Sequence, residues 1–145
     1  MLPTVGLVYV DANCVIYAVE KIEPYCLLLE PLWAAAAAGQ LSIVTSELTW
    51  LETLVKPLHD GSKTLEKLFR DFLSSREVQL VPTSLDVWEQ AARLRSVGLR
   101  TPDAVHAASS IAAGCDMFLT NDTAFQRVPN LPVTILRSLT TEQRG

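Results

Sequence analysis

The chain has 145 residues, 49% of them hydrophobic and 19% charged. That is the composition of one globular domain able to bury its own core, and it excludes a disordered chain. Sixteen acidic against 12 basic residues leave a net charge of −4, which counts against gripping nucleic acid through bulk positive charge.

In chain order, Val5–Val10 is a nearly continuous apolar run, as expected of a strand covered on both faces. Asp11, Ala12 and Asn13 punctuate it, and Cys14 to Glu20 reads as a first helix. Pro24 and Gly39 bracket a second helix that runs through the alanine block Ala34–Ala38. Leu41–Thr45 is the next strand, with Ser46 as cap of a helix ending near Pro57. Gly61 and Ser62 open a further helix, in which Leu65, Leu68, Phe69 and Phe72 recur at helical spacing. Val78–Val81 is a third strand, followed by a helix from Ser84 through Val97 that stops at Gly98. Thr101, Pro102 and Asp103 provide a cap, a first-turn proline and an acid for a helix ending at Gly114. Met117–Thr120 and Val133–Leu136 complete the strands, and a loose tail is expected over residues 138–145.

Strands alternating with helices predict a single domain over residues 1–145, a three-layer α/β/α sandwich around a parallel sheet. Cys14, Cys26 and Cys115 form no CxxC pair, so reduced thiols in a cytoplasmic protein are expected. The richest apolar stretch, Cys26 to Ala38, is broken by Glu30 and Pro31, so no membrane span is expected. No basic segment precedes the first apolar run, so no signal peptide is expected either.

In such sheets ligands collect beyond the C-terminal strand ends. Asp11 follows the first strand and Asp122 the fourth, while Asp103 opens one helix and Glu52 lies inside another. Acids meeting there would raise one another's pKa unless a cation stays bound, and hard divalent ions take such oxygen ligands. Each acid also has an ordinary reading. Asp11 can cap a helix, Asp103 can complement a helix dipole, Asp122 can make an Asx turn, and Glu52 can be a solvated glutamate. Glu47 competes with Glu52 for the same role.

Four segments in order carry a resemblance: residues 11–18 (DANCVIYA), 45–52 (TSELTWLE), 101–108 (TPDAVHAA) and 116–122 (DMFLTND). Together they resemble the motifs of PIN-domain nucleases, and the chain's size is most like that of VapC-type toxins of toxin–antitoxin pairs. The resemblance selects Glu52 over Glu47. It implies an Mg²⁺- or Mn²⁺-dependent endoribonuclease with Asp11, Glu52, Asp103 and Asp122 as metal ligands and catalytic residues. It also implies an RNA substrate, a VapB-like antitoxin that inserts Arg or Lys among the acids, and a homodimer. Asn13 and Thr120 are expected to orient water or phosphate around those ligands.

His106 follows Asp103 by three residues on one helix face, and a packing or hydrogen-bonding role is favoured over metal ligation. Trp33, Trp50 and Trp88 lie in helical apolar patterns and read as core or interface. Lys63, Lys67 and Arg70 make one basic stripe, and Arg93, Arg95 and Arg100 a second cluster. Both are candidates for guiding RNA, though a solvated face is the ordinary reading. A phosphoryl-transfer enzyme using Asp11 as nucleophile is disfavoured, because Asn13 stands where such phosphatases carry a second aspartate. A stand-alone RNA-processing nuclease or a non-catalytic partner-binding module remain alternatives. Setting the four acids aside leaves 12 acidic against 12 basic residues, so the net charge does not exclude a nucleic-acid substrate.

Overall fold

The computed structural model describes residues 2–139. β1 (Gly6–Val10) sits at the centre of the sheet and is covered on both sides. Its side chains alternate between faces, as a strand requires. Val8 and Val10 point into one core, and Tyr9 points into the other. β2 (Leu41–Ser46) repeats the division with Ile43 and Val44, and β4 (Met117–Thr120) with Leu119 and Phe118. With β3 (Val78–Val81) and β5 (Val133–Ile135), these strands form one parallel sheet in the order β3-β2-β1-β4-β5.

The first core lies under α1 (Ala12–Val19), α2 (Tyr25–Ala37), α3 (Glu47–Asp60) and α4 (Lys63–Leu73), which contribute Cys14, Leu29, Leu54 and Phe69 among others. The second lies under α5 (Leu85–Ser96) and α6 (Thr101–Ala113), through Val87, Leu94 and the run Ala104–Ala108. The result is the expected α/β/α sandwich. The chain adds β2 and β3 on one side of β1, then crosses to add β4 and β5 on the other. Strand order therefore reverses between β1 and β4, the switch point at which open α/β sheets form a crevice.

Three local expectations change. The helix after β2 does not stop near Pro57 but continues to Asp60. Proline removes one N–H donor, yet the Pro57 carbonyl still accepts from Gly61 and Ser62, and left-handed Gly61 (φ 70°) closes the helix. Thr101 is the first residue of α6 and not its cap; Arg100 holds the cap position without a side-chain hydrogen bond. Ser138 is not loose: residues 136–139 form a helical turn, and Leu139 is buried in the first core. The remainder of the expected tail, residues 140–145, lies outside the described residues. Among the described residues no helix is long and apolar enough to cross a membrane, and all three cysteines are free.

Candidate active site

Asp11 is the residue at which β1 becomes α1, and it is only 6% exposed. Its Oδ1 accepts from the Cys14 N–H at 3.1 Å, so the capping role is real. Its Oδ2 accepts from the Thr120 hydroxyl at 2.5 Å, across the junction of β1 and β4. The same hydroxyl accepts from the Asp122 N–H at 3.0 Å, so fully buried Thr120 ties the two aspartates into one unit. Asp122 Oδ1 accepts from Ala124 N–H at 2.8 Å and starts a short 3-10 turn, Thr123–Arg127. The Asx-turn reading is thus also correct, and it leaves the second oxygen of Asp122 unengaged by that turn.

A cleft of about 190 Å³ opens over this junction, lined by Asp11, Asn13, Glu52, Asp103, His106 and Asp122, with Ile16 and Phe125 as apolar wall. All four expected acids line this one cleft. Glu47 does not join them; it accepts from the Thr83 N–H at 2.8 Å and pins the loop after β3. Exposed Asn13 is in the cleft, whereas Thr120 acts from beneath it. Burial pushes the Asp11 carboxyl above its ordinary value, and the hydrogen bond from Thr120 opposes that rise. Asp103 is raised as well, first by burial and then by the neighbouring charge of Asp122. In Asp103 the nearby His106 and Arg100 oppose the rise without cancelling it.

His106 takes a hydrogen-bonding role. Its Nδ1 lies 2.7 Å from the Tyr9 hydroxyl and its Nε2 lies 2.6 Å from Glu52 Oε1. Trp33 packs edge-on against Phe72, and Trp50 lies beneath the Arg70 guanidinium, while Trp88 is exposed. The first basic stripe is tied within its own helix: Lys63 and Arg70 pair with Glu66, and Lys67 with Asp71. Arg95 donates to the Leu99 carbonyl. Arg100 differs, because it lines a second cavity of about 380 Å³ together with Asp103, Asp122 and Arg127. Arg127 was not singled out from the sequence. Its signal is the Asx turn at Asp122, which starts a 3-10 turn and returns Arg127 to the same edge.

A sequence model of the PIN domain matches residues 8–131. The chain belongs to the PIN-domain family. No curated protein matches it closely. Among solved structures, VapBC2 from Rickettsia felis, bound to a promoter DNA fragment, superposes with a TM-score of 0.68 at 22% identity, covering 89% of this chain and 98% of that one. A toxin–antitoxin complex from Klebsiella pneumoniae gives 0.67 at 24% identity, with 89% and 97% covered. VapC20 from Mycobacterium tuberculosis, a toxin that cleaves the sarcin–ricin loop, gives 0.63 at 16% identity, with 77% and 86% covered. At these identities the likeness establishes a shared fold.

Proposed function

We propose that this PIN domain is a divalent-cation-dependent endoribonuclease and the toxin of a VapBC-type pair. The presence of Asp11, Glu52, Asp103 and Asp122 in one cleft at the β1/β4 switch point carries this reading. The donor set is almost entirely carboxylate oxygen, which fits Mg²⁺ or Mn²⁺. Among the described residues no three His, Cys, Asp or Glu side chains stand close enough together to hold a metal ion as they are, so binding requires the acids lining the cleft to close on the cation. When bound, the cation supplies Lewis acidity: it polarises a phosphoryl oxygen, eases loss of a proton from water and offsets charge on the leaving oxygen.

The chain's own residues supply position. Asp11, held at both oxygens, is the fixed point of the site. Asp103 and Asp122 stand beside Arg100 and Arg127, which offer guanidinium groups to the phosphates flanking the scissile bond. Water adds to phosphorus, the P–O3′ bond breaks, and the departing 3′ oxygen takes up a proton. The products carry 5′-phosphate and 3′-hydroxyl ends.

Two of the fold relatives are toxin–antitoxin structures. That likeness supports a VapB-like antitoxin as partner, and we propose further that it covers the acidic cleft with an inserted Arg or Lys and that the toxin is a homodimer. The exposed face of α3 bearing Leu51, Val55 and Leu58 supports a surface that a protein partner covers.

The test uses purified protein, RNA and Mg²⁺ or Mn²⁺. Asp11→Asn is expected to lower cleavage by at least about 100-fold, the scale on which transition-state charge stabilisation is lost. An Asp11→Asn variant that cuts RNA at the wild-type rate would falsify the site. For the toxin role, expression of the chain alone should arrest bacterial growth while the variant does not; unimpaired growth with wild type counts against it.

A further inference from the structure

Tyr9 is fully buried in β1 yet carries a hydroxyl, and a buried hydroxyl needs partners for both its oxygen and its proton. A tyrosine phenol carries its proton at neutral pH. The Ser46 N–H, which can only donate, lies 3.1 Å from the phenol oxygen. The phenolic proton then goes to His106 Nδ1, 2.7 Å away. With Nδ1 accepting, the ring proton sits on Nε2 and is donated to Glu52 Oε1 at 2.6 Å. The reverse order would direct two donors at the Tyr9 oxygen and leave its proton only the neighbouring Thr45 hydroxyl, which is already engaged with the Val10 carbonyl and the Thr49 hydroxyl.

We propose that Tyr9 and His106 are positioning residues, forming a one-way hydrogen-bond relay that fixes Glu52 by Oε1 and leaves Oε2 to face the cation. The inference rests on the metal-site reading above. The relay is stiff at each joint. The Tyr9 ring stacks on Phe118 at 4.9 Å and 9°, and it meets the His106 ring edge-on at 5.9 Å. His106 itself is 3% exposed. Ser46 both feeds the relay through its backbone and caps α3, the helix that carries Glu52. Glu52 is 29% exposed at the side chain and has several rotamers open to it without this hold. Partners that orient a ligand in this way typically change metal affinity by about 10- to 100-fold.

Calorimetric titration of Mn²⁺ into the full chain, without RNA, tests this. Tyr9→Phe should weaken binding by about 10-fold or more, and the double variant with Glu52→Gln should bind no worse than Glu52→Gln alone. Tyr9→Phe also strands the Ser46 N–H, so a second pair guards against a folding defect. His106→Ala should lose affinity to the same degree, and His106→Gln, whose amide can still donate to Glu52, should recover most of it. In cleavage assays kcat should fall with KM for RNA unchanged. Long-range ¹H–¹⁵N NMR of the metal-free protein should show one neutral Nε2–H tautomer at His106, giving way to a mixture in Tyr9→Phe. Wild-type Mn²⁺ affinity in both Tyr9→Phe and His106→Ala overturns the proposal. A wild-type chain that binds no Mn²⁺ refutes the metal-site reading instead. The NMR measurement still decides the relay in that case, since mixed tautomers in wild type overturn it.

Discussion

Replacing Thr120 by valine keeps the shape of the side chain and deletes one hydroxyl. That hydroxyl is fully buried, donates to Asp11 Oδ2 and accepts from the Asp122 N–H. A hydrogen bond to a charged group contributes about 1.5–3 kcal/mol, and a buried group left without a partner costs about 1–3 kcal/mol. The Asp122 N–H is only part-buried, so the Asp11 side dominates and a loss of about 2–3 kcal/mol at neutral pH is expected. For a domain of this size that lowers Tm by roughly 6–10 °C. The deficit depends on pH in a defined direction. Burial raises Asp11, so the folded state holds that proton more tightly than the unfolded state. The contribution of Asp11 to stability therefore falls as pH rises from the ordinary aspartate range through its raised folded pKa. The Thr120 hydrogen bond is the largest influence opposing that rise. Removing it pushes the folded pKa higher and deepens the fall. Below the window Asp11 is protonated in both states and the variant's deficit shrinks. Circular dichroism melts of both proteins without divalent cation, from acid to neutral pH, measure this. Equal Tm values at neutral pH, or a deficit that grows in acid, would refute the reasoning.

Arg127→Ala should raise KM for RNA several-fold with little change in kcat. It should also lower the dependence of log KM on log salt by about 0.7 per lost phosphate contact, and an unchanged salt slope would remove Arg127 from the substrate path. Glu47→Gln should cut RNA at near wild-type rates, whereas Glu52→Gln should lose at least about 100-fold. The opposite ranking would mean that the wrong glutamate has been assigned to the cleft.

The strands were legible because each is a short β-branched run closed by a turn residue, and the sandwich followed from their alternation with helices. The four acids were legible one by one only as caps and solvated residues. Their convergence depended on strand order, which places Asp11 and Thr120 side by side across β1 and β4. Asp11 and Asp122 turn out to be both caps and cleft residues, since a carboxylate has two oxygens and the cap uses one. The relay was hidden for the same topological reason: Tyr9 looks like any apolar strand position, and its partner His106 is 97 residues away. For the basic stripe on α4, helical spacing shows where charges lie but not that Glu66 and Asp71 pair with them. Pro57 misled because proline removes a donor but keeps its carbonyl, which accepts from Gly61 and Ser62, and left-handed Gly61 sets the end of the helix.

The most direct measurement is the end chemistry of RNA cut by the purified chain. The account predicts cleavage that needs Mg²⁺ or Mn²⁺, stops on chelation, and leaves 5′-phosphate and 3′-hydroxyl ends. Products bearing a 2′,3′-cyclic phosphate, or cleavage that persists in chelator, would contradict it.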